Sequence, residues 1–573
     1  MTLLDDRKDH VSLDDVLALD RARPTTRLRG GVPRPTGLWP RRIWLAVLAG
    51  LVVWSVRDAL GGDGEVVNPG GWAQVGDFVS AAVRPELDGE FLRTVGSAAA
   101  TTVGYALVGT ALALAIGLVG GVLTSETLWA RDPLADAGRQ SRSHPGRWLV
   151  KVAATLARGT HEAVWALVLL SVLGRDPWVA VLAIGVPFGA VTAKVVAEML
   201  DDADQAPVQT LRAAGAGRLG AMVYGLGATV QSDVASYSFY RFECALRSSV
   251  VLGMIGAGGI GFELAQSFQS LQYREMWTLI YTLCIVALAV DRWGVSLRRR
   301  PSRRYARASL LGAVAATVYA VWALDLRLLS LVDARARRLF GDLVSEAFPP
   351  RLPPGGWSAL IDALVDTVQM SLVAIGLAAV IAGPVSFLAA RPDRGRRVGR
   401  ALAARPDRGG GVKGRAVAGA LRGLLLVMRT CPPPLWAFVV LFVVFPGPLP
   451  GGIALGLYTV GVLGRLGADV VENSDPAPAR SLRAAGASAT SAFAYGTVPT
   501  VAPRFASLTM YRWEVVQRET VVVGLVGAGG LGRLLAEQNA AQDEAAMLTT
   551  VLTLVAAAFL VDLVSTRIRA ALR

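Results

Sequence analysis

A long internal duplication constrains the fold of this chain more than any other feature of its sequence. The segment that opens with LRAAGA at residues 211–216 and closes with GAGGIG at residues 256–261 returns as LRAAGA at 482–487 and GAGGLG at 527–532. Both ends of the segment are displaced by the same 271 positions, from 211 to 482 and from 256 to 527, so the copies align without a gap. A duplication in constant register predicts two structurally equivalent halves.

The composition indicates that these halves lie in a membrane. Hydrophobic residues make up 53% of the 573 positions and charged residues only 18%, whereas soluble domains carry about 25% charged residues. Many of the uncharged runs reach the roughly 20 residues that a helix needs to cross a bilayer. We therefore predict an all-α polytopic membrane protein rather than a string of soluble domains.

Each repeat contains six apolar runs, which predicts about twelve transmembrane helices in two parallel six-helix repeats. In the first repeat the runs lie near residues 43–60, 94–123, 150–173, 179–200, 229–255 and 277–297. In the second repeat they lie near residues 310–332, 367–390, 421–445, 452–471, 500–526 and 548–564. Six crossings return the chain to its starting side, so the repeats share one orientation and are related by a pseudo-two-fold axis along the membrane normal.

Arginine clusters set the orientation of this topology. They occur at residues 21–42, 131–147, 298–307, 391–415 and 567–573. All five fall on one side of the six-plus-six model, which the positive-inside rule makes cytoplasmic. We expect a cytoplasmic N-terminal tail at 1–42 rather than a signal peptide, a first repeat at 43–300 and a second at 301–573. We therefore expect a multi-pass protein of the plasma membrane, with both termini in the cytoplasm.

The segment between the fourth and fifth runs of each repeat is too polar for the bilayer. It covers residues 201–220 in one repeat and 472–491 in the other, and each copy reads as a short helix ended by a glycine. Small alanine and glycine side chains would let another protein surface approach closely. We predict a docking loop formed by Gln209, Leu211, Arg212, Ala213, Ala214 and Gly215, and a second formed by Arg480, Leu482, Arg483, Ala484, Ala485, Gly486 and Pro499.

The glycine-rich segments after the fifth runs are candidate hinges. They literally satisfy G-x-G-x-x-G, but that fingerprint needs a βαβ unit and an acidic residue about 20 positions on, whereas Gly261 is followed by a linker and then an apolar run, so dinucleotide binding is not supported. Glycines permit positive φ and close approach at a helix break, which favours a gate, with simple helix packing as the alternative. The residues concerned are Gly256, Gly258, Gly259, Gly261, Gly527, Gly529, Gly530 and Gly532.

Ionisable residues directly before these glycines are candidates for a substrate pathway, since charges at membrane depth usually line a cavity or pair with each other. They are Tyr240, Arg241, Glu243 and Arg247, repeated as Tyr511, Arg512, Glu514 and Arg518. The Glu and second Arg of each set are four residues apart, which allows a self-neutralised pair as the alternative. Arg241 and Arg512 have no evident local partner, and two guanidiniums would suit a tetrahedral oxyanion.

These features together resemble the permeases of phosphonate-type ABC importers. The docking loops are similar to the coupling motif of such permeases, written E-A-A, three residues, Gly, nine residues, I-x-L-P. Gly215 and Gly486 match the glycine of this motif, and Pro499 matches its final proline. The other positions differ: Gln209 and Arg480 replace the glutamate, and in the first repeat Ala228 replaces the proline. The YRxE segment, the glycine run and the spacing from Arg to Trp, which occurs as Arg158 to Trp165 and again as Arg429 to Trp436, also resemble this family. The resemblance implies a type I importer permease fold, with two permease copies fused in place of a homodimer.

The resemblance also implies the partners: ABC ATPase subunits on the cytoplasmic side, an extracytoplasmic solute-binding protein and membrane lipid. No G-x-x-x-x-G-K-[ST] loop occurs in the chain, so ATP would be used by a partner subunit and no cofactor bound here. The expected cargo is phosphonate, phosphite or phosphate. An ion-coupled secondary transporter or channel is the alternative, because internal repeats suit it as well.

Other classes of function find no support in the sequence. The net charge of +14 resides at the ends of apolar runs, which argues against a nucleic-acid partner. The three cysteines and three histidines are scattered, so we expect no metal site. No catalytic constellation of Ser/His/Asp or Cys/His type is evident, so we expect a transport component and not an enzyme.

Overall fold

The computed structural model describes residues 38–61, 66–129, 145–299, 303–390 and 412–572. Most of the predicted N-terminal tail, and most of the arginine clusters at 131–147 and 391–415, lie outside these residues. Within the described ranges the architecture is helical, with a single isolated bridge between extended residues, Val67 and Val444.

Most helices of the first repeat recur in the second with similar lengths. The first repeat contains α1 (Leu38–Leu60), α2 (Gly71–Ala81), α3 (Gly89–Thr124), α4 (Glu126–Trp129), α5 (Pro145–Gly159), α6 (Glu162–Leu173), α7 (Trp178–Asp202), α8 (Ala206–Ala213), α9 (Arg218–Leu252), α10 (Ile260–Gln269) and α11 (Tyr273–Arg299). The second contains α12 (Arg303–Ala323), α13 (Ala334–Ala347), α14 (Gly356–Ala389), α15 (Val412–Thr430), α16 (Pro433–Val443), α17 (Pro448–Glu472), α18 (Ala477–Ala484), α19 (Ala489–Ala492), α20 (Val498–Val523), α21 (Gly530–Ala540) and α22 (Glu544–Leu572). The exceptions are the 35-residue α9, which corresponds to the two helices α19 and α20, and α4, which has no counterpart among the described residues.

The candidate membrane spans agree with the predicted architecture. Among the described residues, seven helices are long and apolar enough to cross a membrane, and four bent helix pairs raise the total to as many as eleven. These eleven coincide with eleven of the twelve predicted runs. The twelfth run, residues 43–60, coincides with helix α1, which is not among the eleven.

The third run of each repeat is not the single helix that its hydropathy predicts. Helices α5 and α6 meet at 91°, and α15 and α16 meet at 94°. In the first repeat His161 caps the new helix, because its Nδ1 accepts a hydrogen bond from the Ala163 amide at 3.1 Å. In the second repeat Pro432 and Pro433 stand at the junction, where missing amide donors and fixed φ angles favour a helix start.

A tryptophan holds each of these corners together. The indole Nε1 of Trp165 donates to the carbonyl of Ala157 at 3.3 Å, and that of Trp436 donates to the carbonyl of Met428 at 3.2 Å. Each bond runs from the second helix back to the last turn of the first, whose carbonyls have no partner within the helix. The tryptophans Trp165 and Trp436, which are repeated in the sequence, therefore join the two helices of each corner.

Small residues bring the central helices of each repeat into close contact. A Cβ added to Gly117 of α3 would lie 2.4 Å from Cγ2 of Thr192 in α7. In the second repeat a Cβ added to Gly456 of α17 would lie 2.7 Å from Cδ2 of Leu377 in α14. Such contacts are the usual basis of helix association in lipid, where the hydrophobic effect does not draw helices together.

The first helix of each repeat packs on the other repeat. Helix α1 lies on α14, where a Cβ added to Gly376 would be 2.5 Å from Cγ1 of Val52, and where Gln369 Nε2 donates to Asp58 Oδ2 at 2.7 Å. Helix α12 lies on α3, where a Cβ added to Gly104 would be 3.1 Å from Cδ1 of Leu324. The two repeats therefore exchange their first helices.

The short helices after the corners are exchanged as well. Val164 and Leu167 of α6 are buried in one cluster with second-repeat residues such as Leu531. Leu435 of α16 is buried among first-repeat residues, and the ring of Phe438 stacks on that of first-repeat Phe268 with centroids 4.0 Å apart. Neither repeat can complete its packing without the other.

This exchange predicts that the repeats will assemble without a covalent link. When residues 1–300 and 301–573 are co-expressed as two chains, we expect them to co-purify in equal amounts from detergent. Replacing Gly104 and Gly376 by leucine in the split protein should weaken the association, because the added side chains would clash with Leu324 and Val52. Purification of one half without the other would contradict the exchange as a source of assembly.

Candidate functional site

The two predicted docking loops have the same backbone conformation. Gly215 and Gly486 adopt φ of +88° and +89°, in the left-handed region that glycine tolerates best. In the first loop the Ala216 amide donates to the Leu211 carbonyl at 2.9 Å and the Gly215 amide to the Arg212 carbonyl at 3.0 Å. This pair of bonds is a Schellman motif, which ends a helix at a glycine.

Both loops expose their small residues. Ala213, Ala214 and Gly215 are exposed, and so are their equivalents in the second loop: Ala484, Ala485 and Gly486. Gln209 is half-buried, whereas Arg480 and Pro499 are exposed, with Pro499 in the first turn of α20. The structure thus leaves the small residues of both loops exposed.

The two loops are anchored differently. Val208 of α8 is buried together with Met222 and Leu226 of α9. Helix α18 has no buried residue, and the chain that supports it forms a π-helical turn at Phe493–Thr497. The first loop is therefore attached through a buried valine, whereas the second is attached through Ala479, which lies close against the buried Gly496.

The glycine runs are sharp breaks between helices. Helix α9 continues through a π-helical turn at Gly253–Ala257 into α10 with a bend of 54°, and α20 continues through Gly524–Ala528 into α21 with a bend of 60°. Positive φ angles occur in both runs, at Gly256, Gly258, Gly259, Gly527, Gly529 and Gly530. Gly261 and Gly532 have no room for a side chain, since an added Cβ would lie 1.9 and 2.4 Å from a backbone carbonyl oxygen.

Each break is held by a threonine, which belongs to α3 in the first repeat and to α14 in the second. The amide of Ile260 donates to Thr102 Oγ1 at 2.9 Å, and the amide of Leu531 donates to Thr367 Oγ1 at 2.9 Å. In the first repeat Tyr105 also donates its hydroxyl to the Ala257 carbonyl at 3.0 Å. Backbone groups freed by the break thus find side-chain partners, as irregular backbone at membrane depth requires.

The docking loops and the glycine breaks lie at opposite ends of one long helix. Helix α9 has 35 residues and is therefore about 52 Å long, which exceeds the thickness of a hydrocarbon core. Tyr240 and Arg241 occur between the two ends, on the part of the helix nearer the break.

One predicted ion pair is present, and it is extended across the two repeats. Glu243 and Arg247 form a salt bridge, as their spacing predicts, and Arg429 Nη1 of α15 also donates to Glu243 Oε1 at 3.0 Å. Because Arg429 belongs to the second repeat, the carboxylate of Glu243 joins the two repeats.

The corresponding prediction for Glu514 and Arg518 is wrong. Glu514 pairs with Arg569 of α22, whose Nη2 lies 2.7 Å from Glu514 Oε1. Arg518 instead donates to the backbone carbonyls of Glu514 at 3.3 Å and of Arg158 at 3.2 Å. The Arg158 carbonyl lies at the C-terminal end of α5, where unpaired carbonyls carry partial negative charge.

The expectation that Arg512 lacks a local partner is also wrong. Its Nη2 lies 3.0 and 2.9 Å from the two carboxylate oxygens of Glu519, and both side chains are nearly buried. Glu519 follows seven residues later, two helical turns along the same face of α20. The Tyr458 ring lies 5.2 Å from the guanidinium carbon and covers it from a second helix, α17.

Arg241 has a different environment, although it holds the equivalent position. Its Nε donates to the hydroxyl of Tyr237 at 2.7 Å. Its guanidinium carbon lies 4.9 Å from the ring centre of Phe188, 5.1 Å from that of Tyr237 and 5.9 Å from that of Tyr240. No carboxylate of the described residues lies within 4 Å of it. Tyr240 and its counterpart Tyr511 are each about half exposed, so this part of both helices borders open space.

Several residues of this region escape prediction from the sequence. Glu519 follows Arg512 by seven residues, a spacing that also places two side chains on one face of a helix. Arg569, Phe188 and Tyr458 approach from other helices, and only the tertiary structure brings them to the pathway residues.

The comparisons with known proteins agree with this architecture. The family model described as binding-protein-dependent transport system inner membrane component matches residues 134–340 and again residues 409–573. The phosphate-import permease protein PhnE of Mycolicibacterium smegmatis is 27% identical over 423 residues, which are 71% of this chain and 75% of that protein. No solved structure matches the chain.

Two shorter relatives match with higher identity. The phosphite transport system permease protein PtxC of Stutzerimonas stutzeri is 35% identical over 190 residues, or 33% of this chain and 62% of that protein. The putative cryptic phosphonate transport system permease protein PhnE2 of Escherichia coli K12 is 35% identical over 118 residues, or 21% of this chain and 97% of that protein. The chain is therefore a multi-pass membrane protein of the family of inner-membrane components of binding-protein-dependent transport systems, with two copies of the family's domain in one polypeptide.

Proposed function

We propose that this chain is the complete transmembrane part of an ABC importer for phosphate, phosphite or phosphonate. The observation that carries the proposal is the paired arrangement of two exposed loops with the same backbone conformation, each connected by a long helix to an arginine and a glycine break. Relatives named for phosphate import and phosphite transport support the class of cargo.

In this mechanism a separate ATPase binds the loops around Gly215 and Gly486 on the cytoplasmic side. Closure of the ATPase moves both loops, and α9 and α20 transmit the movement to the glycine breaks on the outer side. A solute-binding protein delivers the anion to the open outer side, and hydrolysis resets the permease towards the cytoplasm. ATP is bound and used by the partner, and both termini of this chain lie in the cytoplasm.

The loops are tested by removing their contact surface. Deleting Arg212 to Gly215, or the equivalent Arg483 to Gly486, should abolish both uptake and co-purification of the ATPase. The milder variants Ala214→Trp and Ala485→Trp should have the same effect, because both alanines are exposed and a bulky side chain there obstructs a partner without disturbing the core. Full uptake with the ATPase still bound would overturn the assigned role.

The alternative of an ion-coupled transporter predicts a different dependence on energy. Vesicles that contain this chain alone, with an imposed ion gradient, should take up no phosphate. Vesicles that also contain the ATPase and ATP, with the binding protein outside, should take it up. Gradient-driven uptake without the ATPase would favour the alternative.

The glycine breaks distinguish a gate from simple packing. Gly256 has φ of +119° and an added Cβ would have no neighbour within 4 Å, so Gly256→Ala restricts the backbone without overpacking. We expect uptake to fall severalfold, because the left-handed region costs an alanine about 1–2 kcal/mol, while the amount of folded protein changes little. Gly312→Ala is the matched control, since Gly312 lies within helix α12, away from the loops and the breaks, and has equally open surroundings. Normal uptake by Gly256→Ala would leave packing as the role of the run.

A further inference from the structure

We propose that the two repeats are not equivalent towards the anion: Arg241 is the guanidinium that binds the oxyanion, and Glu519 is a built-in counter-ion that keeps Arg512 from binding it. This inference rests on the proposed import of a phosphate-type anion and assigns that function to one repeat.

Arg241 has the hydrogen-bonding capacity that an anion needs. Its Nε is used by Tyr237, while its two terminal nitrogens have no hydrogen-bond partner among the described residues and are not sealed from solvent. These two nitrogens form the side of the guanidinium that binds two oxygens of a phosphate-type group at once. The aromatic rings of Phe188, Tyr237 and Tyr240 hold the guanidinium plane through cation–π contacts.

Arg512 already holds an anion, which belongs to the chain itself. Both carboxylate oxygens of Glu519 lie within 3.0 Å of one of its terminal nitrogens. Its Nε is buried without a hydrogen-bond partner, so the side chain is enclosed on that side as well. An entering oxyanion would have to displace a nearly buried carboxylate, and the freed carboxylate would repel it.

The sequence difference that produces this asymmetry can be located. The position of Glu519 is occupied in the first repeat by Ser248, whose hydroxyl donates to the carboxylate of Glu162. The position of Glu162 is in turn occupied in the second repeat by Pro433. Each repeat thus retains one acidic residue near this point, but only the second repeat places it on the pathway arginine.

Transport by matched variants tests the assignment. The full chain is reconstituted with its ATPase and binding protein, and uptake of radiolabelled phosphate is measured. Arg241→Gln should reduce uptake about tenfold or more, and Arg241→Lys should restore part of it, because one charge remains without the bidentate geometry. The double variant Arg512→Gln/Glu519→Gln removes a pair that is already neutralised and should lose much less uptake than Arg241→Gln does. Equal losses in Arg241→Gln and the double variant would overturn the proposal.

A binding measurement separates this inference from the proposed function. Cys244 is half-buried and follows Arg241 by three residues on the same helix face, so its reaction with a maleimide should report occupancy beside Arg241. In a Cys284→Ser background, inorganic phosphate should slow labelling of wild type and of the double variant, but not of Arg241→Gln. Protection that persists in Arg241→Gln, or is missing in wild type, would overturn the site.

The two measurements distinguish a failure of the proposed import from a failure of the proposed site at Arg241. Phosphate protection of Cys244 without any ATP-driven uptake would refute import while supporting the site at Arg241. ATP-driven uptake that is insensitive to Arg241→Gln would support import and overturn the assignment of Arg241.

Discussion

The exchange of α1 and α12 between the repeats is the contact on which the rest of the structure depends. In a lipid environment apolar surface gains little from burial against apolar surface, so helices associate where their shapes fit closely. Gly376 receives Val52 and Gly104 receives Leu324 in this way, and each contact crosses from one repeat to the other. The corners at α5–α6 and α15–α16 then place short helices in the partner repeat, where they line the same interface as the ionic residues.

Burial of those ionic residues is tolerable because almost every charge has a partner. A carboxylate or guanidinium at membrane depth is costly unless it is neutralised or hydrogen-bonded. Glu243 has two arginines, Glu514 has Arg569, and Arg518 uses a carbonyl at the end of α5. Against this background the guanidinium of Arg241, held by rings and a single hydroxyl, stands apart.

The fold could be predicted from the sequence to a large extent, because its evidence is periodic and local. Apolar runs, arginine clusters and the constant displacement of 271 positions give the helices and their duplication, and the glycines after Leu211 and Leu482 predict the loop ends correctly. The corners could not be predicted, since hydropathy averages over the break at Pro432 and Pro433. The partners of Glu514 and Arg512 failed for a related reason: spacing along one helix says nothing about Arg569, and attention to four-residue spacing overlooks a carboxylate two turns away.

The covalent link between the two repeats affects how far their sequences can differ. Helix α11 ends at Arg299 and helix α12 begins at Arg303, and α12 packs on the first repeat. In a homodimer every substitution occurs twice, once on each side of the symmetry axis. A single polypeptide is free of that restriction, and one of its halves can change a side chain while the other keeps the original. Ser248 and Glu519, at equivalent positions of the two repeats, are such a difference.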